Sequence, residues 1–187
     1  RDVERSRGLG DVYKRQGGML AGAELLHHPS AGSTYLNFYY DIGNAAPEEM
    51  PYLNLLTDVV DELDTGKHTA QELNTLRNTW LGRSGAWVDG WTGRQPGRPV
   101  HAKLVAGMSL LERSLEKAVE LGGEWLYETK LTGPQAEAAM ERVVSQQKLM
   151  MEQRFLREGH AFASMRAAAH FSVEAAMNER CSGVSYY

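Results

Sequence analysis

The sequence predicts an α+β fold: an antiparallel sheet with helices packed on one face, forming a two-layer sandwich. Three observations lead there. Short runs alternate apolar and polar residues with period two, the helical segments carry one apolar stripe each, and the order runs strand, helix, helix, strand, strand, helix, long helix, terminal piece. Strands joined as a hairpin and helices with a single apolar stripe bury those surfaces most simply against one another.

The first strand begins at Ser33, where Leu36, Phe38, Tyr40 and Ile42 share one face and Tyr35, Asn37, Tyr39 and Asp41 the other. Gly43 to Ala46 make a turn. Pro47 with Glu48 and Glu49 then opens a helix, since proline is tolerated in a first turn and carboxylates favour its positive end. Leu53, Leu56, Val60 and Leu63 follow at helical spacing, and Gly66 ends the helix in a left-handed conformation. Thr69 to Glu72 has the form of a reciprocal capping box, starting a helix through Leu73, Leu76 and Trp80 to Gly82. Trp87, Asp89 and Trp91 alternate with Ala86, Val88 and Gly90. After the turn-rich Gly93 to Gly97, the residues Val100, Ala102, Leu104, Ala106 and Met108 share a face, so the two runs form a hairpin. Ser109 to Glu112 repeats the capping-box form ahead of a helix lined by Leu111, Leu115, Ala118, Val119, Gly122 and Leu126 and reaching Tyr127. Thr132 to Gln135 opens the long helix, apolar at Met140, Val143, Val144, Met151 and Phe155 and interrupted at Gly159; Ser172 caps a last helix from Val173 to Arg180.

Composition narrows the function. With 187 residues, 42% of them hydrophobic and 24% charged, the chain has enough apolar material for one sizeable core. A net charge of -4 gives no broad attraction to phosphate backbones and the sequence holds no local basic patch, which argues against nucleic acid as a partner. The single cysteine, Cys181, has no intramolecular partner for a disulfide and reads as a buried apolar residue, in keeping with a reducing compartment. No apolar run approaches the roughly 20 residues that span a bilayer, and no secretory pattern opens the chain, so the expectation is a soluble protein with no membrane partner. Residues Arg1 to Gln16 are charged and without period, resembling a non-native or adapter-derived tail; residues 17 to 187 are expected to be one α+β domain, truncated at the C-terminus.

Hydrolytic zinc sites take three converging ligands and leave a position for water. The inverted motif H-x-x-E-H achieves this by placing two histidines on one helical face beside a glutamate, and it does not occur here. Glu24 to His28 holds the same letters in the wrong order, with adjacent histidines that point about 100 degrees apart on a helix and a proline directly after them. A solvated loop pair is expected. His160 and His170 lie too far apart along a helix to share a metal, and read as packing or cap histidines, His160 able to bond a carbonyl freed at a kink beside Gly159. His68 and His101 read as surface residues. Ser33, Ser84 and Ser182 lack an elbow motif and a base, and the glycines from Gly82 to Gly97 form no phosphate loop. Trp80, Trp87 and Trp91 read as core and hairpin packing, with a peptide-binding wall as the alternative. Arg154, Arg157 and Arg166 read as an exposed helix face, with a substrate carboxylate as the alternative partner.

Ordered strings carry a further signal. The run TYLNFYYDIGNAAPEEMPYLNLLTDVVDELDTGKHTAQEL, Thr34 to Leu73, resembles the pattern of pitrilysin- and insulinase-type zinc metallopeptidases of the presequence-protease branch: strand, acidic-proline turn, proline-tyrosine-leucine helix, second helix. EGHAFASMRAAAHFS, Glu158 to Ser172, is similar to that branch's glycine-histidine, alanine, arginine-alanine segment, and SGVSYY, Ser182 to Tyr187, resembles the stretch next to it in the same branch. The resemblance covers some five-sixths of the chain. It implies the third of four related α+β domains, which close in two halves around a chamber where unfolded peptides are cut. The zinc motif of such enzymes lies in the first domain, so no catalytic or metal residue carries over to this chain. The implied cofactor is zinc in the parent enzyme and none here; the implied partners are the catalytic half of the same polypeptide and an unfolded peptide. His160 and Arg166 are the candidate structural or substrate-facing residues. The implied role is a non-catalytic chamber wall, inactive alone, in a cytoplasmic protein or, in a eukaryote, a mitochondrial one. The alternative is an inactive pitrilysin-like scaffold or interaction subunit.

Overall fold

A computed structural model describes residues 32 to 92 and 100 to 187. The tail expected over Arg1 to Gln16, the pair His27 and His28, and the turn from Gly93 to Gly97 lie outside the described residues. Within them, β1 (Ser33–Asp41) leads to α1 (Met50–Val59), which tightens into a 3₁₀ turn over Val60–Glu62. Next come α2 (Ala70–Trp80), β2 (Leu81–Thr92), β3 (Val100–Leu111), α3 (Leu115–Tyr127), α4 (Pro134–Ala168) and α5 (Val173–Ser182), with a final 3₁₀ turn over Val184–Tyr186. Among the described residues no helix is long and apolar enough to cross a membrane.

The sheet is antiparallel with strand order β1-β3-β2, so the last strand in sequence sits in the middle. Directly opposed residues share a face. Phe38, Ala106 and Ala86 therefore stand in one row, and Tyr40, Leu104 and Val88 in the next. Against this face α2 and α3 bring Leu73, Leu121 and Trp125, with Ala118 packed on Met108 and Leu110 one layer on. At the other end Ala102 meets Met50, Met177 and Cys181 from α1 and α5. Trp125 and Leu121 are almost wholly removed from water, each worth about 1.5 to 3 kcal/mol of transfer free energy. The long helix α4 rests on α1, through Ala136, Ala139 and Val143 against Val59 and Leu63, and is tied there by Arg142 to Glu62 (2.9 Å) and Gln147 to Asp58 (2.9 Å).

Several local expectations hold. β1 alternates over the predicted faces, the capping box at Thr69 and Glu72 is formed in both directions, and Ser172 caps α5 by accepting from the Ala175 amide. Gly133 precedes α4 at φ 106° and ψ 170°, a region open essentially to glycine alone.

Other elements differ, for identifiable reasons. Proline in the first turn of α1 is Pro51 rather than Pro47, because the Glu49 carboxylate turns back to accept from the Ala46 amide (2.7 Å) and closes a turn first. The helix ends at an extended Leu63, and Gly66 is not left-handed; its amide instead donates to the Glu128 carbonyl (3.2 Å). α2 stops at Trp80 and passes directly into β2, with a bulge at Gly82 between Leu81 and Arg83. The second capping box, at Ser109, does not form: those residues stay in β3, paired with β1 as far as Leu111. α3 consequently starts at Leu115 and buries Ala118, Leu121, Gly122 and Trp125, leaving Leu115 and Val119 exposed. On α4 the buried positions are Ala136, Ala139, Val143, Met151 and Phe162, while Met140 and Val144 face water.

Candidate functional site

Register places a second set of side chains on the sheet face away from the helices: Tyr35, Asn37, Tyr39 and Asp41 from β1, Lys103, Val105 and Gly107 from β3, and Trp87, Asp89 and Trp91 from β2. Tyr35 is 71% exposed, Tyr39 55%, Trp87 40% and Trp91 41%. The tryptophans of β2 therefore pack on the outer face of the sheet, away from the core expected for them. They are held nonetheless. The Tyr39 and Trp91 rings meet edge to face with centroids 5.7 Å apart. The Trp87 ring lies over Gly107 so closely that a Cβ there would sit 2.6 Å from it. Val105, opposite both Tyr39 and Trp87, has no exposed surface, and Lys103 reaches Asp41 at 2.9 Å. The result is a fixed aromatic surface with a paired charge at its edge, of the kind that marks an interaction surface when left open to water.

A second concave region lies where the end of α4, α5 and the start of α1 meet. It encloses about 510 Å³ and is lined by Arg166, His170, Glu179, Arg180, Glu48 and apolar residues between them. The Arg166 guanidinium donates to Ser185 Oγ (2.7 Å) and pairs with the Glu179 carboxylate (3.0 Å), which is buried. Burial alone would push Glu179 up, but hydrogen bonds from Ser185 and the Arg166 charge hold its carboxyl below the ordinary value of 4.5. Arg166 is thus anchored by α5 and the terminal 3₁₀ turn. His160 is not in this region: the helix kinks at Glu158 (φ -121°, ψ 24°), and the His160 side chain stands exposed, bonded to no carbonyl among the described residues. Arg154 bonds the Glu158 carboxylate (3.2 Å) at the kink instead.

Two buried polar groups escaped the sequence reading. Glu124 on α3 accepts from His68 Nδ1 at 2.8 Å and 3.1 Å and from the Thr65 hydroxyl, which in turn receives the His68 amide (3.0 Å). Burial raises this carboxyl, and the bonds from Thr65 and His68 more than offset it, leaving it below the ordinary range. Arg77, buried on α2, bonds Asp61 (2.6 Å) and Ser84 (3.0 Å) and lies over the Trp125 ring at 4.0 Å. The one available signal was position: Arg77 follows Leu73 by four residues and Glu124 follows Leu121 by three, placing both on apolar stripes. Their partners lie too far away in sequence to be read from spacing.

Among the described residues no three His, Cys, Asp or Glu side chains converge as a metal site. The zinc that peptidases of this kind require does not fit the donor set present, and no reaction step is assigned to this chain.

A model of the family described as associated with peptidase M16, subfamily C, matches residues 2 to 187. Presequence protease 1, chloroplastic/mitochondrial, of Arabidopsis thaliana is 26% identical over 189 aligned residues, covering 97% of this chain and 17% of that protein. Protein HypA of Clostridium perfringens is 22% identical over 169 residues, covering 89% of this chain and again 17% of its own length. The chain therefore spans about a sixth of the length of these curated relatives, and the family match takes in the opening residues as well as the described fold. With nearly its whole length accounted for by that match, the chain belongs to the family associated with peptidase M16, subfamily C.

Proposed function

We propose that this chain is a non-catalytic wall domain of a zinc metalloendopeptidase that degrades unfolded peptides, its outer sheet face turned toward the peptide. The observation that carries this reading is the open row of Tyr35, Tyr39, Trp87 and Trp91 on a rigid sheet. Fixed aromatic rings contact extended chains of many sequences at little entropic cost. Family membership and likeness to a presequence protease support the peptidase context. Zinc and base belong to another part of the longer protein in this reading. The wall excludes water and restricts the peptide, and orientation of that kind contributes up to about 7 to 11 kcal/mol to a barrier.

The test is complementation. A second half containing this domain is mixed with a separately purified first half carrying H-x-x-E-H, and cleavage of an unstructured peptide is followed with and without a zinc chelator. Neither half alone should cleave, and the mixture should. A first half as active alone as in the mixture would remove the wall role, whereas a zinc-loaded complex that stays inactive would favour an inert scaffold.

A further inference from the structure

The cavity between α4, α5 and the start of α1 has chemistry that the wall role leaves unused. Its two guanidiniums differ in how far they are committed. Arg166 spends one nitrogen on Ser185 and Glu179 and has no further hydrogen-bond partner among the described residues. The nearest carboxylate to Arg180 is Glu48, 3.9 Å away and 78% exposed, too far for a hydrogen bond. Two planar forks of donors thus border one space of about 510 Å³, a size suited to a small ligand. Forks of this kind recognise oxyanions through paired charge-assisted bonds.

Charge decides which oxyanion fits. The lining also holds Glu48 and Glu179, so the two arginines are balanced by two carboxylates. A phosphate dianion would meet net repulsion, whereas a singly charged carboxylate replaces the loose Glu48 contact with a closer one. Pro51, Ala169 and Ala176 supply an apolar wall beside the arginines, room for a short side chain next to the charged group. We propose that this cavity binds the C-terminal carboxylate of a short peptide, with Arg180 as the principal ligand, Arg166 as the second, and the last side chain against Ala169 and Ala176. The identity of the ligand as a peptide rests on the peptidase reading above; the oxyanion site itself rests on the arginines.

The experiment is calorimetric titration of the chain with one unstructured peptide in two forms, free acid and C-terminal amide, and with inorganic phosphate. The free acid should bind at least about tenfold more tightly than the amide, the worth of a charge-assisted pair. Arg180→Gln should abolish that preference and Glu48→Gln should tighten the free acid, both variants retaining the wild-type near-ultraviolet spectrum. Equal binding of acid and amide, an unchanged preference in Arg180→Gln, or phosphate displacing the peptide with higher affinity would overturn the assignment. The two readings fail separately. Cleavage of acid and amide alike by the mixed halves, with no acid preference in binding, sinks the cavity alone. Acid-selective binding without cleavage of either form sinks the wall role alone.

Discussion

Glu124 and Glu179 are the residues through which pH acts on this fold. Each is buried and each ionises below 4.5 because hydrogen-bond donors and a cationic or histidine partner outweigh desolvation. The folded chain therefore takes up these protons less readily than the unfolded chain. Stability is fully present above about pH 4.5 and is lost as pH falls through the lower folded values. Urea midpoints should accordingly hold level near neutrality and fall between about pH 5 and pH 3. Glu124→Gln should lower the level part by about 1 to 3 kcal/mol, since the His68 and Thr65 donors lose a charged acceptor, and should make the acid fall shallower. A variant with the same acid fall as the parent would show that Glu124 is not one of the titrating groups.

At the scale of elements, the features legible in the sequence are the local ones. The alternation of β1, the Thr69 capping box and the Ser172 cap each depend on residues within a few positions of one another, and each is found. The Ser109 box has the same letters and fails, because pairing between β3 and β1, from Ser33 opposite Leu111 onward, holds those residues extended. That contact lies nearly eighty positions away along the chain, beyond any window of local pattern. The same holds for the candidate site. Register makes Tyr39, Val105 and Trp87 neighbours, whereas the sequence showed only aromatic residues at strand spacing. His68 looked like a surface residue because its partner Glu124 lies on another helix. Gly133, by contrast, is a local requirement of the α4 start, at a φ of 106°. Gly133→Ala should cost about 1 to 3 kcal/mol, read as a lower urea midpoint with helix content retained in the folded baseline. An unchanged midpoint would mean that the α4 start relaxes without loss.

On the scale of the whole molecule, the described fold is a sheet sealed by helices on one side and aromatic on the other, in a chain about a sixth as long as the relatives it matches. Its chemistry is that of a surface: among the described residues there is no metal-binding cluster, while four large rings stand open on a rigid support. The central claim is that this face meets the peptide, and the most direct test changes only the face. In the mixed-half assay, the double variant Trp87→Ser with Trp91→Ser should raise KM for an unstructured peptide by about tenfold, from the loss of about 1 kcal/mol or somewhat more of contact at two rings, while kcat and the zinc content of the complex stay near the parent values. Unchanged KM in a folded, zinc-loaded complex would contradict the account.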